Sequence, residues 1–299
     1  MSNREYKDRL FIFLFGKEER KEMTLSLINA INNTKYKDLD DLTFNTINEA
    51  VYGGMKNDIS FIILPMLHLI EHQSSYTPNM PIRFLLYITK IIEKIITSNN
   101  ISVYANSKIE IPRPQFIMLY NGSRQLANSV EEMKLSDLYE GKGEINLELI
   151  VKAVDINFSD SNEILHRCKA LYEYSWLVER IRKYEVKMEL DMAIDKALDD
   201  MPEEFIIKEL LMENKAEVKG MLLTEWDWEK EKIKLANTER NAGIKEGIKK
   251  GRIEGRNEGI KQGISEGENN AYKDVYDLLE KYDSFDELKK IIESRISHK

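Results

Sequence analysis

The stretch Asp58-Ile59-Ser60-Phe61-Ile62-Ile63-Leu64-Pro65-Met66-Leu67-His68-Leu69-Ile70-Glu71-His72-Gln73 decides how the N-terminal half of this chain is read. Two apolar runs, Ile59 to Ile63 and Leu67 to Gln73, flank Leu64-Pro65-Met66. Pro65 would obstruct one continuous helix, because it lacks an N–H and its ring clashes with the preceding turn. The pattern therefore predicts a β-hairpin with proline in its connection. Alternate side chains of a strand share a face, so Leu67, Leu69, Glu71 and Gln73 should point one way and His68, Ile70 and His72 the other.

Outward from the hairpin, Leu10 to Phe15 ahead of Gly16 and the helical spacing within Met23 to Ile31 predict two short helices. Thr43 to Tyr52 reads as extended or irregular, with Gly53-Gly54 as a turn. Ser74 to Met80 is a loop, and Pro81 suits the first turn of a helix to about Thr97. Phe116 to Tyr120, stopped by Asn121-Gly122, predicts a buried strand, and Leu147 to Phe158 a further one. Helix, hairpin, helix, strand and strand in this order place the half in the mixed α/β class.

From Ser161 the chain changes to charged helical stretches, roughly 161–184, 188–199 and 203–235, either packed beside the sheet or forming a helical lobe. Seven of the fourteen glycines then recur every fourth residue from Gly243 to Gly267. On an α-helix that spacing advances each glycine by about 40°. Each costs about 1 kcal/mol relative to alanine, so a marginal exposed helix or a mobile segment is expected. Ala271 to Ile296 returns to an amphipathic pattern broken at Asp283-Ser284, two short helices suited to dimerisation or docking. The expected organisation is 1–160, a helical region 161–237, the glycine repeat 238–270 and a C-terminal helical element 271–299.

Hydrophobic residues at 42% and charged residues at 32% exclude wholesale disorder. The net charge of -8 argues against a generally basic nucleic-acid coat protein, although not against a local basic groove. A single cysteine, Cys168, rules out an intramolecular disulfide framework and reads as packing on a helix. The N-terminus lacks a signal-peptide pattern, and no apolar stretch reaches the length of a membrane span. A cytoplasmic protein without membrane contact is expected.

Chemistry concentrates at the hairpin. Asp58 begins the first strand, where pairing could bring its carboxylate to the same end of the sheet as Glu71 and Gln73. Two converging carboxylates suit Mg²⁺ or Mn²⁺, hard cations that take oxygen ligands and complete their shell with water and phosphate. With 52 acidic residues in the chain, such a spacing also arises by chance. His72 belongs to the face away from Glu71 and reads as packed, and His68, His166 and His298 form no zinc-spaced cluster. Arg83 and Tyr87 share one helix face; Arg83 suits either a substrate phosphate or a salt bridge to Glu71 or another acid, and Tyr87 a supporting or core position. Asp8 reads as a helix N-cap or an additional acid.

The runs Lys56-Asn57-Asp58-Ile59-Ser60-Phe61, Leu69-Ile70-Glu71-His72-Gln73-Ser74-Ser75, Asn79-Met80-Pro81-Ile82-Arg83-Phe84-Leu85-Leu86-Tyr87 and Pro114-Gln115-Phe116-Ile117-Met118-Leu119-Tyr120-Asn121-Gly122 occur in this order. Together they resemble the recombination-promoting nuclease and transposase family of the PD-(D/E)XK nuclease superfamily, over about residues 5–160. The resemblance implies a restriction-endonuclease-like α/β core, a central mixed sheet flanked by helices, followed by a mainly helical C-terminal region. It further implies Mg²⁺- or Mn²⁺-dependent cleavage of DNA in recombination or mobile-element biology. By position, Asp58 and Glu71 match the metal-binding acids, and Gln73 stands where lysine stands elsewhere in the superfamily. Being neutral, Gln73 cannot supply lysine's charge. Glycine repeats near the C-terminus are a further similarity. A catalytically weak or inactive DNA-binding relative, or a helical assembly protein forming homo-oligomers through its C-terminal helices, are the competing expectations.

Overall fold

The computed structural model describes residues 9–44, 58–63, 65–122, 126–281 and 284–296. The chain runs α1 (Arg9–Phe15), α2 (Lys21–Asn32), β1 (Leu42–Phe44), β2 (Ile59–Ile63), β3 (Met66–Gln73), α3 (Met80–Ser98), β4 (Arg113–Tyr120), β5 (Val130–Lys134) and β6 (Ile150–Asp155). Helices α4 (Glu163–Arg167), α5 (Lys169–Glu185), α6 (Leu190–Asp199), α7 (Lys208–Glu213), α8 (Lys215–Lys281) and α9 (Phe285–Ile296) follow. The expected Asp8 and Gly53-Gly54 assignments, and most of the extended stretch to Tyr52, lie outside the described residues, as does His298.

The strands form one six-stranded mixed sheet in the order β1-β2-β3-β4-β6-β5. β2 and β3 make the expected antiparallel hairpin, with Ile59 opposite Ile70 and Ile63 opposite Met66. β3, β4 and β6 run parallel, which places Gln73, Tyr120 and Asp155 level at their C-terminal ends. Strands in the middle of a parallel region are covered on both faces, and the near-continuous apolar runs of β3 and β4 reflect this. β5 pairs antiparallel with β6 at the edge. Only Met133 of its five residues is buried, and such a weakly patterned, charged edge strand carries little hydrophobic signal.

Side-chain alternation divides the core in two. Leu67 and Leu69 face α3, packing in a cluster with Phe84, Tyr87, Ile88, Ile91, Phe116, Met118 and Tyr120. The buried positions of α3 recur at helical spacing, Met80, Phe84, Tyr87, Ile88 and Ile91, behind a proline in the first turn. On the other face Ile59, Phe61, Ile63, Ile70, Ile117 and Leu119 pack with Leu10, Leu14, Leu27 and Ile28, and with Leu171, Tyr174, Leu177 and Ile181 of α5.

Helices α4 to α7 and the start of α8 therefore share the sheet's core rather than forming a lobe. The stretch expected as one helix over 161–184 is broken at Cys168, whose extended backbone separates α4 from α5. Asn162 caps α4 by accepting from Ile164 N at 3.1 Å. Buried Ile194, Leu198, Leu211, Val218, Leu222 and Trp226 carry the same cluster through α6, α7 and the start of α8. The compact units run 1–231 and 232–299, so the division expected at residue 160 does not separate units of packing.

The glycine repeat is helical, all seven glycines lying within α8. A Cβ added at any of them would meet nothing within 4 Å. Ile244, Ile248, Ile253, Ile260 and Ile264 of the same segment are each at least half exposed. Among the described residues no helix is long and apolar enough to cross a membrane.

Candidate active site

The end of the hairpin carries the central feature. The ladder closes with Ile59 opposite Ile70, and Asp58 and Glu71 each stand one residue beyond that last pair. Glu71 projects from the face of β3 that α3 covers, where it meets Arg83. Asp58 Oδ2 accepts from the His72 backbone N–H at 2.7 Å, which ties the half-buried acid to β3.

Glu71 is fully buried. Its Oε2 accepts from Gln73 Nε2 at 3.2 Å and from Arg83 Nη2 at 2.6 Å. The strand period places Gln73 beside Glu71, and the first turns of α3 deliver Arg83 from the covering layer. Of the two roles open to Arg83, the ion pair with Glu71 is the one formed. Arg83 Nη2 also lies 3.4 Å from the Tyr87 hydroxyl, one helical turn on. Burial alone would lower the Arg83 pKa; the Glu71 charge, aided by Tyr87 and Asp58, outweighs it and raises the value, so the guanidinium stays charged. Burial, then the Glu71 charge, push the Tyr87 phenol upward, with Arg83 opposing. Asp58 is among the charges acting on both groups, so the four side chains form one electrostatic unit.

The histidines of β3 lie on the opposite face. His72 is buried against Phe11, ring centroids 5.2 Å apart, and its Nε2 lies 3.1 Å from the Tyr174 hydroxyl. His68 is buried against Phe61 and lies 2.8 Å from Gln115 Oε1. Desolvation lowers the His68 pKa to about 4, against the upward pull of the Gln115 hydrogen bond. Cys168 is buried, and desolvation raises its thiol pKa, in keeping with a packing role.

A second polar group, not singled out by sequence patterns, lies at the C-terminal ends of β4 and β6. It comprises Asn121, Asp155, Asn157 and Arg182, joined by hydrogen bonds from Asn157 Nδ2 to Asp155 Oδ1 at 2.9 Å and from Arg182 Nη1 to Asn157 Oδ1 at 3.2 Å. Asn121-Gly122 carried a turn signal, and nothing in its spacing pointed to Arg182, sixty residues on. Gly122 is required sterically, because a Cβ there would overlap the Ser74 carbonyl.

Among the described residues no group of three or more His, Cys, Asp and Glu side chains is placed to hold a metal ion. The candidate oxygen donors are the two carboxylates of Asp58 and Glu71. Comparison with protein-family models, curated proteins and solved structures finds no match to this chain.

Proposed function

We propose that this chain is a Mg²⁺- or Mn²⁺-dependent DNA endonuclease with a restriction-endonuclease-like core, acting in recombination or mobile-element biology. The observation that supports this reading is the group in which Glu71 holds Gln73 and Arg83 while Asp58, bound to the His72 backbone N–H, adds its charge to the same cluster. The donor set fits a hard cation: carboxylate oxygens from adjacent strands would hold it, leaving further positions for water and phosphate. When bound, such an ion supplies Lewis acidity and a more acidic water. Gln73 would orient that water or a phosphate oxygen through its amide. Arg83 would exchange its Glu71 contact for the substrate phosphate, whose oxygens its planar fork of donors matches. Tyr87 would steady the guanidinium during that exchange.

Nicking of supercoiled plasmid by the purified full chain tests the proposal. Cleavage should require Mg²⁺ or Mn²⁺, and Asp58→Ala and Glu71→Ala should each reduce it about 10²-fold or more, the scale of losing a principal electrostatic group. Inertness with every divalent ion supplied, or full activity in Asp58→Ala, would overturn it.

The alternative of an idle nuclease-fold DNA-binding or assembly protein is favoured by one observation, the Glu71–Arg83 ion pair that occupies the carboxylate. Salt-sensitive DNA binding without cleavage would select it. Self-association through the C-terminal helices is compatible with either reading. It draws support from the exposed isoleucines that accompany the open glycine positions of α8. A concentration-dependent mass that disappears on truncation after Asn237 is its expected sign.

A further inference from the structure

We infer that Arg83 is a latch on Glu71, holding the carboxylate against a divalent cation until a nucleic-acid phosphate draws the guanidinium away, so that metal and DNA each strengthen the binding of the other; the inference rests on the metal- and DNA-binding parts of the proposed function. The Glu71 side chain is 0% exposed and that of Arg83 19%, so the guanidinium is the member of the pair that meets solvent. Its Nη2 donates at 2.6 Å to Glu71 Oε2, the oxygen that also accepts from Gln73 Nε2 at 3.2 Å. A cation approaching Glu71 meets a positive charge already in contact with it. Repulsion at such range is strong where water is scarce, and a second charge on the ion doubles it.

Charge count gives the latch its leverage. Asp58 and Glu71 are the acids of the cluster, and among the described residues no third acid, histidine or cysteine joins them as a ligand set. Arg83 cancels one of their two negative charges. Affinity for a hard cation follows the charge of its ligands, so the pair binds such an ion far better once the guanidinium has gone. Departure is restrained by α3 itself. Arg83 Nη1 lies 3.4 Å from Met80 Sδ and Nη2 lies 3.4 Å from the Tyr87 hydroxyl, and both neighbours are buried. A guanidinium so enclosed is costly to strip of its counter-ion. Arg83 therefore releases Glu71 only to another anion.

The resting hold is one-armed, which makes it exchangeable. Nη2 alone engages the carboxylate, while Arg83 Nε is buried and has no hydrogen-bond partner. A buried donor left unused is what an anion can satisfy, and arginine commonly grips phosphate through two parallel N–H bonds. Trading the single carboxylate contact for a two-armed phosphate contact gives Nε its partner. The same exchange frees Glu71 Oε2 beside Asp58, whose charge already reaches Arg83 and Tyr87. One anion arriving at Arg83 thus opens the site to the cation.

Binding of Mn²⁺ to the full chain, read from the electron paramagnetic resonance of the free ion, tests the latch independently of cleavage. Without DNA, Arg83→Met should bind Mn²⁺ about tenfold or more tightly than wild type, and Arg83→Lys, which keeps a cation beside Glu71, should stay near wild type. A saturating DNA duplex should raise the wild-type affinity about tenfold, beyond the uptake of the same duplex with Glu71→Gln, and Arg83→Met should gain little. Equal Mn²⁺ affinity in wild type and a folded Arg83→Met would overturn the latch, as would a wild-type affinity that the duplex leaves unchanged. Should Arg83→Met not fold, the wild-type comparison with and without duplex decides alone. A wild-type chain that binds Mn²⁺ tightly without DNA and nicks plasmid keeps the endonuclease reading and loses the latch. Coupled binding without nicking keeps the latch and removes the nuclease. A chain that takes up no Mn²⁺, with or without DNA, loses both.

Discussion

The two faces of β3 bury polar groups by opposite means. On one, Glu71 and Arg83 keep full charges out of water by pairing at 2.6 Å, with Gln73 as a further donor. On the other, His68 and His72 lie among aromatic rings beside neutral hydrogen-bond partners, Gln115 and Tyr174. Burial penalises charge unless a partner offsets it. The first face therefore keeps its charges in a pair, while on the second the buried His68 imidazole is held back from protonation. Two residues apart on one strand, Glu71 and Gln73 join each other and Arg83, while His72 between them packs against Phe11 and Tyr174.

The sharpest way to break this contrast is to strip one charge. Glu71→Ala leaves Arg83 buried without its carboxylate and should cost about 3–5 kcal/mol in urea-unfolding stability, besides abolishing any cleavage. The double variant Glu71→Ala with Arg83→Ala should lose less than the sum of the single changes, and simple additivity would argue that the pair is not coupled.

The uncharged face is addressed by pH. The folded-state pKa of His68, about 4, lies below the 6.5 of an unperturbed imidazole, so the unfolded chain takes up the proton first. The resulting stability is complete above pH 6.5 and is lost as pH falls through 4, about 3 kcal/mol across the window. Urea midpoints between pH 7 and pH 4 should show this slope, and His68→Gln should flatten it. A slope unaltered by that substitution would assign the acid sensitivity elsewhere.

Tyr174→Phe removes the hydroxyl near His72 Nε2 and should cost about 1 kcal/mol. Cleavage should be unaffected, because this contact belongs to the packed face. The smallest effect is expected from truncation after Asn237, which should leave the melting temperature of the α/β unit nearly unchanged while removing far-UV helical signal. A large fall would show that the glycine-bearing helix helps to hold the unit together.

Much of this arrangement was legible in the sequence wherever period and composition agreed. Pro65 between two apolar runs marked the hairpin, and the two-residue period separated Glu71 and Gln73 from the histidines. Pro81 and the spacing of Met80, Phe84 and Tyr87 marked α3. What escaped had little local signal. β5 has only one buried side chain, and β6 occupies only 150–155 of its apolar run. The role of α4 to α7 in covering the sheet depends on contacts between distant segments, as in Tyr174 with His72. The group around Arg182 escaped for the same reason, since Asn121, Asp155, Asn157 and Arg182 meet only after three elements have packed. For Arg83, sequence left two roles open, and only the position of α3 over β3 shows the ion pair.

Gly122 has a mechanical consequence. Its backbone approaches the Ser74 carbonyl too closely for a Cβ, while the adjoining Asn121 N holds the Gln73 carbonyl. A side chain introduced at position 122 would therefore wedge the ends of β3 and β4 apart beside the hydrogen bond that joins Asn121 to Gln73.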